Sequence, residues 1–169
     1  MAPRQGTATF LSAVVVWTTA CAGAPSGGAS KPASTSQSSA ESAAERCLAV
    51  AGAKRERKPN EPSKISAKHV LVRYVGAKRA PETVTRTRAE ACLRAQEALR
   101  KLKDGMSFAD VVSRYSDESG AVTREGSIGA IERADVAPAF ADAAFELQIR
   151  EVSEVVETPF GFHVILRVE

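Results

Sequence analysis

The chain contains two histidines, and both sit in runs that read as strands. One lies in "AKHVLVRYV" and the other in "TPFGFHVILRVE" at the C-terminus. Side chains alternate along a strand, so His69, Leu71 and Arg73 share one face and His163, Ile165 and Arg167 share a matching face. Val70, Val72 and Tyr74 lie opposite the first set; Phe162, Val164, Leu166 and Val168 lie opposite the second. Imidazole is the side chain that exchanges a proton most readily near neutral pH. If the two His–x–aliphatic–x–Arg faces are neighbours, they form either a hydrogen-bonding site or a polar stitch that stiffens a sheet.

The elements that must position these groups occupy part of the chain. With 169 residues and 44% hydrophobic content, one ordinary domain with extensions is expected. The net charge of +3 comes from Lys and Arg interspersed with Asp and Glu, which is a solvated surface and not a nucleic-acid footprint. No metal, cofactor or nucleic acid is expected. Residues 1–21 read as a leader: Arg4 is the positive start, "ATFLSAVVVW" is too short to span a bilayer, and small residues follow. Cys21 resembles the lipidated cysteine of a bacterial lipoprotein box, although Thr18 stands where an aliphatic residue is usual. Cleavage after Ala22 is the alternative and would discard Cys21. Either route takes the protein out of the cytoplasm. Ala22 after a lipidated cysteine points to the periplasmic side of the envelope and to the outer membrane.

Residues 22–62, rich in Ser, Ala, Gly and Pro, read as a flexible tether. Ala44, Cys47, Leu48 and Ala51 fall at helical spacing, so a short helix within 41–57 is one option. Cys47 and Cys92 can pair in an oxidising compartment, but nothing in their spacing requires it. The simpler expectation leaves Cys92 as a small apolar helix residue and Cys47 unpaired.

The folded domain is expected at 63–169. After the first strand and the basic loop, "TRTRAEACLRAQEALRKLKDG" gives a strong helix signal, with Ala89, Leu93, Ala95, Gln96, Leu99 and Leu102 mainly on one side. Glu90 with Arg94, and Glu97 with Lys101, are set up as i,i+4 ion pairs. Ser107 can cap a short helix burying Phe108, Val111, Val112 and Tyr115. A polar loop, a short strand, a helix presenting Phe140, Ala144 and Leu147, and a hairpin through a Pro-Phe-Gly turn complete the order. This is an α+β arrangement, a small mostly antiparallel sheet with helices packed on it.

In order and spacing, "HVLV", "FADVVSRYSDESG", "GSIGAI", "PAFADAAFEL" and "REVSEVVETPFGFHVI" resemble the parvulins, a family of peptidyl-prolyl cis/trans isomerases. The resemblance covers Ile65 to Glu169, and "RAPETVTRTRAEA" is most similar to the phospho-specific eukaryotic branch. It implies a parvulin-like fold of the FKBP-like superfold: a four-stranded, mostly antiparallel sheet with about four helices. It implies isomerisation without covalent chemistry. His69, His163 and Thr158 would form a hydrogen-bonded group, with Glu118 where the family has Cys or Asp. Ile128, Val136 and Phe140 would line the proline pocket, with Leu71 near its floor. Arg73, Lys78 and Arg79 would hold a phosphate or carboxylate before the proline. Val136 and Ala137 stand where a longer and a polar residue are usual, and Arg150 where a turn Gly is common. The partners implied are Pro-containing segments of exported or unfolded proteins, bound by a lipid-anchored monomer with preference for an acidic residue before proline. A parvulin-shaped chaperone with little turnover, or a phosphoSer/Thr-Pro-selective isomerase, is the alternative.

Overall fold

The computed structural model describes residues 35–169; the leader, Cys21 and the start of the tether lie outside them. A first helix, α1 (Thr35–Ala51), precedes strand β1 (Lys64–Val72) and the long helix α2 (Arg88–Lys103). Helix α3 (Phe108–Tyr115), strand β2 (Ser127–Glu132) and a 3-10 turn (Arg133–Asp135) follow. Helix α4 (Pro138–Glu146) and the hairpin β3 (Val156–Thr158) and β4 (Gly161–Arg167) end the chain. The sheet has four strands in the order β2-β1-β4-β3, and every pairing is antiparallel. This is the α+β class expected from the order of elements.

Alternation along β1 and β4 separates two cores. Val70, Val72, Phe162 and Val164 pack with Ala91, Cys92, Ala95, Ala98 and Leu99 of α2 and with Val111 and Val112 of α3. On the opposite face, Ile65, Ala67 and Ile165 meet Phe140, Ala141, Ala144 and Phe145 of α4. Helix α2 starts at a capping box: Thr87 accepts from the Glu90 amide while the Glu90 carboxylate accepts from the Thr87 amide. Such caps contribute about 1 kcal/mol. Ser107 caps α3 in the way its sequence suggests, accepting from the Asp110 amide.

The structure differs from the sequence expectation in four places. The buried face of α2 is Ala91, Cys92, Ala95, Ala98 and Leu99, rotated from the stripe drawn through Ala89 and Leu93. Small residues sit there because α2 is covered twice, by the sheet and by α1. The i,i+4 pairs on α2 are also not the contacts made. Glu90 serves the cap, Arg94 donates to the Arg114 carbonyl and lies over Tyr115, and Glu97 accepts from the Tyr115 hydroxyl. Val168 is 39% exposed, so the apolar face of β4 stops before it.

The fourth difference is the largest. The helix in the presumed tether is α1, ending at Ala51 and not reaching 57; Ala44 is buried, and Cys47 and Ala51 join the core that contains α2. Cys47 and Cys92 form a disulfide, against the expectation that Cys47 is unpaired. Residues 55–61 are also held to the domain. Arg55 pairs with Glu146 at 3.1 Å and Lys58 donates to the Glu146 carbonyl. Glu61 joins Arg57 and Arg133.

A cross-link across 45 residues restricts the unfolded chain by a loop-closure term of about 4 kcal/mol. Urea unfolding with and without a reductant measures it. The reduced chain is expected to unfold at a clearly lower midpoint, and coincident midpoints would mean that the cross-link does not stabilise the fold.

Candidate functional site

Antiparallel pairing of β1 with β4 sets His69 opposite Ile165 and Leu71 opposite His163. The two imidazoles are therefore diagonal neighbours on one face of the sheet. Their rings stack with centroids 5.3 Å apart, and Nδ1 of one lies 3.1 Å from Nδ1 of the other. His163 Nε2 is 2.7 Å from the Thr158 hydroxyl on β3, and His69 Nε2 is 2.9 Å from the Glu118 carboxylate. All three of His69, His163 and Thr158 are buried.

Glu118 decides the direction of this chain of hydrogen bonds. An ionised carboxylate only accepts, so His69 Nε2–H donates to it. With His69 neutral, its Nδ1 accepts from His163 Nδ1–H, and His163 Nε2 accepts from the Thr158 hydroxyl. If His69 takes a second proton, both inner links reverse: His69 Nδ1–H donates to His163, and His163 Nε2–H donates to Thr158. The Thr158 hydroxyl can then turn to the Gly161 carbonyl at 3.4 Å. Both arrangements satisfy all four ring nitrogens and the Thr158 hydroxyl.

The environment holds His163 neutral. Burial pushes its pKa well below the ordinary 6.5, and the positive charges of His69 and Arg73 push the same way. Glu118 is shifted down from its ordinary 4.5. The hydrogen bond from His69 is the main cause; partial burial opposes it, and the charges of His69 and Arg124 add to the lowering. Arg124 lies 2.6 Å from the same Glu118 oxygen.

Local backbone contacts fix these side chains. The His69 amide donates to the Gly126 carbonyl at 2.8 Å. Gly126 has φ +75°, and a Cβ there would come within 2.5 Å of the His69 carbonyl, so this approach requires glycine. Where the pairing of β1 with β2 has ended, the loop after α3 takes the place of a neighbouring strand at Leu71 and Arg73. The Asp117 amide donates to the Leu71 carbonyl, the Arg73 amide donates to the Asp117 carboxylate, and Arg86 pairs with Asp117. Glu118 is thereby carried over His69.

A cleft of about 460 Å³ opens on this group, lined by His69, His163 and Thr158 together with Ile128, Val136, Ala137 and Phe140. Phe140 meets both imidazoles edge-on, at 5.7 and 5.3 Å between centroids. The structure thus brings together the two histidines, Thr158 and three of the four expected pocket residues. Leu71 is the exception. It is buried and faces Gly161 rather than the cleft, because the β4 backbone covers it at the start of the hairpin. Glu118 does not line the cleft either and reaches it through His69.

The basic loop borders the cleft through Phe160. Lys78 Nζ lies 5.3 Å and the Arg79 guanidinium 5.7 Å from the Phe160 ring centroid. Arg73 is engaged differently, since its Nη1 donates to the carbonyls of Lys78 and Arg79, at 3.1 and 2.9 Å. It braces a loop in which Arg79 has φ +60°. Arg150, where a glycine is usual, likewise has φ +68°. Cys21 lies outside the described residues. Phe160, Ala130, Ile131 and Asp135 also line the cleft and are not among the residues that the sequence singles out. An aromatic residue in the Pro-Phe-Gly turn is the available signal for Phe160. A lone loop acid such as Asp135 carries no signal.

A sheet face carrying a buried imidazole pair beneath an apolar, cation-bordered cleft defines a proline-isomerase type of domain. Residues 52–169 match the family model described as the PPIC-type PPIase domain, and the chain belongs to that family, the parvulins. It is 42% identical over 72 residues to the foldase protein PrsA of Halalkalibacterium halodurans, covering 43% of this chain and 22% of the foldase. It is 40% identical over 113 residues to the peptidyl-prolyl cis-trans isomerase pin1 of Schizosaccharomyces pombe, covering 64% of this chain and 63% of that protein. The solved structure of the peptidyl-prolyl isomerase ESS1 from Candida albicans superposes with a TM-score of 0.58 at 27% identity, covering 65% of each chain. This chain therefore spans less than two thirds of each of these proteins.

The sign of the pH dependence follows from the two shifts. A group with a lowered folded pKa contributes stability that is complete above its unfolded pKa and is lost as pH falls. Acidification should begin to destabilise the fold near pH 6.5 through His163, with Glu118 adding its loss below pH 4.5. The His163 slope approaches about 1.4 kcal/mol per pH unit. Urea unfolding between pH 8 and pH 5, for the natural chain and for His163→Leu, reads this directly. An identical slope in the variant would show that His163 does not carry it.

Proposed function

We propose that this chain accelerates cis/trans isomerisation of X-Pro bonds in exported or unfolded polypeptides, with preference for an acidic residue before the proline. The observation that carries the reading is the cleft. Ile128, Val136 and Phe140 form an apolar seat for a pyrrolidine ring, directly against His69 and His163. Twisting the amide costs about 20 kcal/mol because resonance is lost, and each ~1.4 kcal/mol of selective stabilisation of the twisted form gives tenfold in rate. No nucleophile is needed. Glu118 is ionised and engaged by His69 and Arg124. Its role is to set the proton arrangement of the imidazole pair beside the rotating carbonyl.

Lys78 and Arg79, exposed beside Phe160, are the cations available to an anionic side chain before the proline. Arg73 is partly committed to the loop carbonyls. With Arg73 committed, Lys78 and Arg79 remain, enough to pair with a single carboxylate charge. The leader and Cys21 support a lipid-anchored place in the bacterial envelope, where phosphorylated Ser-Pro segments are scarce. A second reading, a binding module with little turnover, is favoured by Ala137, which lines the cleft without a polar group for the substrate backbone.

Exchange NMR with the full chain on peptides containing Ala-Pro, Glu-Pro and phosphoSer-Pro tests the proposal. Faster cis/trans exchange on all three is expected, with Glu-Pro ahead of Ala-Pro and phosphoSer-Pro within tenfold of Glu-Pro. Binding without acceleration would replace the isomerase by the binding module. A lead well above tenfold for phosphoSer-Pro would overturn the carboxylate preference.

A further inference from the structure

The cleft has two electrically different ends. Its lining crosses the sheet from Ile128, Ala130 and Ile131 on β2, past His69 and His163, to Thr158 and Phe160 at the β3–β4 hairpin. Strands β2 and β3 are the opposite edges of the sheet, three strand spacings or about 14 Å apart. Lys78 and Arg79 border the hairpin end. At the β2 end the lining includes Asp135, the last residue of the 3-10 turn.

Asp135 is fixed and electrically uncompensated. Its Oδ2 accepts from the Glu132 amide at 2.8 Å, which holds the side chain while leaving the other oxygen for a ligand. Among the described residues no cation pairs with it. The adjacent Arg133 is taken by Glu61 and Asp142 and lies over Phe145. Asp135 also adjoins Val136, a wall of the pyrrolidine seat.

We propose that Asp135 is a specificity-determining residue that selects Lys or Arg within two positions after the proline, so that preferred substrates carry an acid before proline and a base after it. This rests on the function proposed above, since the orientation of the peptide follows from placing the anion at Lys78 and Arg79. The spacing agrees. An extended peptide advances about 3.3 Å per residue, so about four residues span the two ends, and the length of a Lys or Arg side chain shortens that requirement. The geometry excludes the same cation at the position just before proline, where it would face Lys78 and Arg79.

The experiment compares peptides of equal length containing Ala-Pro-Ala, Ala-Pro-Arg and Ala-Pro-Ala-Arg, on the full chain and on Asp135→Asn and Asp135→Lys. Asn keeps an oxygen for the Glu132 amide, so the turn is retained. Asp135 is exposed, and at low ionic strength the better arginine peptide is expected to exceed Ala-Pro-Ala by about threefold in kcat/KM, as for a solvent-exposed ion pair. The ratio should fall to one in Asp135→Asn, drop below one in Asp135→Lys, and shrink in high salt. Chemical-shift titration gives the same ratio as affinities, so a chain that binds without turnover still decides the question. A ratio of one in the natural chain, or an arginine preference unchanged in Asp135→Asn, would overturn the assignment. Absence of acceleration on Ala-Pro-Ala would instead count against the isomerase reading alone.

Discussion

The 3.1 Å contact between His69 and His163 is the constraint on which the domain is organised. Two imidazoles inside a sheet are tolerable only if each ring nitrogen has a partner, because an unpaired buried polar group costs about 1–3 kcal/mol. Satisfying four nitrogens recruits Glu118 from the loop after α3 and Thr158 from β3. It also fixes the antiparallel register of β1 against β4, since a slip of one residue would turn both rings away from one another. Gly126 and the Asp117 contacts then follow as the backbone that brings Glu118 within reach. The cleft is the outer surface of this arrangement, with Phe140 closing it edge-on.

The same network accounts for what the site does not contain. The Glu118 carboxylate, held by a hydrogen bond from His69 and an ion pair with Arg124, does not face the cleft. What faces the cleft is a hydrogen-bonded wall of His69, His163 and Thr158, whose ring nitrogens and hydroxyl can donate or accept. Bond rotation, which requires no covalent intermediate, is a reaction that such a wall can influence.

Much of this is legible in the sequence because it depends on short-range periodicity. The matching His–x–aliphatic–x–Arg frames around His69 and His163 reveal the shared face, and Ile128, Val136 and Phe140 follow from the spacing of family motifs. What is illegible depends on partners distant in sequence. Leu71 shares the face of His69, but only the path of the hairpin shows that β4 covers it. Arg73 resembles a ligand-binding cation because its acceptors are backbone carbonyls, which have no sequence signature. Helix α1 reads as part of a tether because Ala44, Cys47 and Ala51 are too small to announce a core. They are small because α2 approaches closely there, and the buried stripe of α2 is hard to place for the same reason.

The Cys47–Cys92 cross-link has a mechanical consequence. Tension applied to the chain on the N-terminal side of α1 enters the domain at Cys47 and passes through sulfur to Cys92 on α2. Strand β1 and its His69 lie within the covalently closed loop, off that load path. Without the bridge the same pull would first undock α1 and the 55–61 contacts and would then reach β1. The bridge directs such a load to a helix packed on both sides.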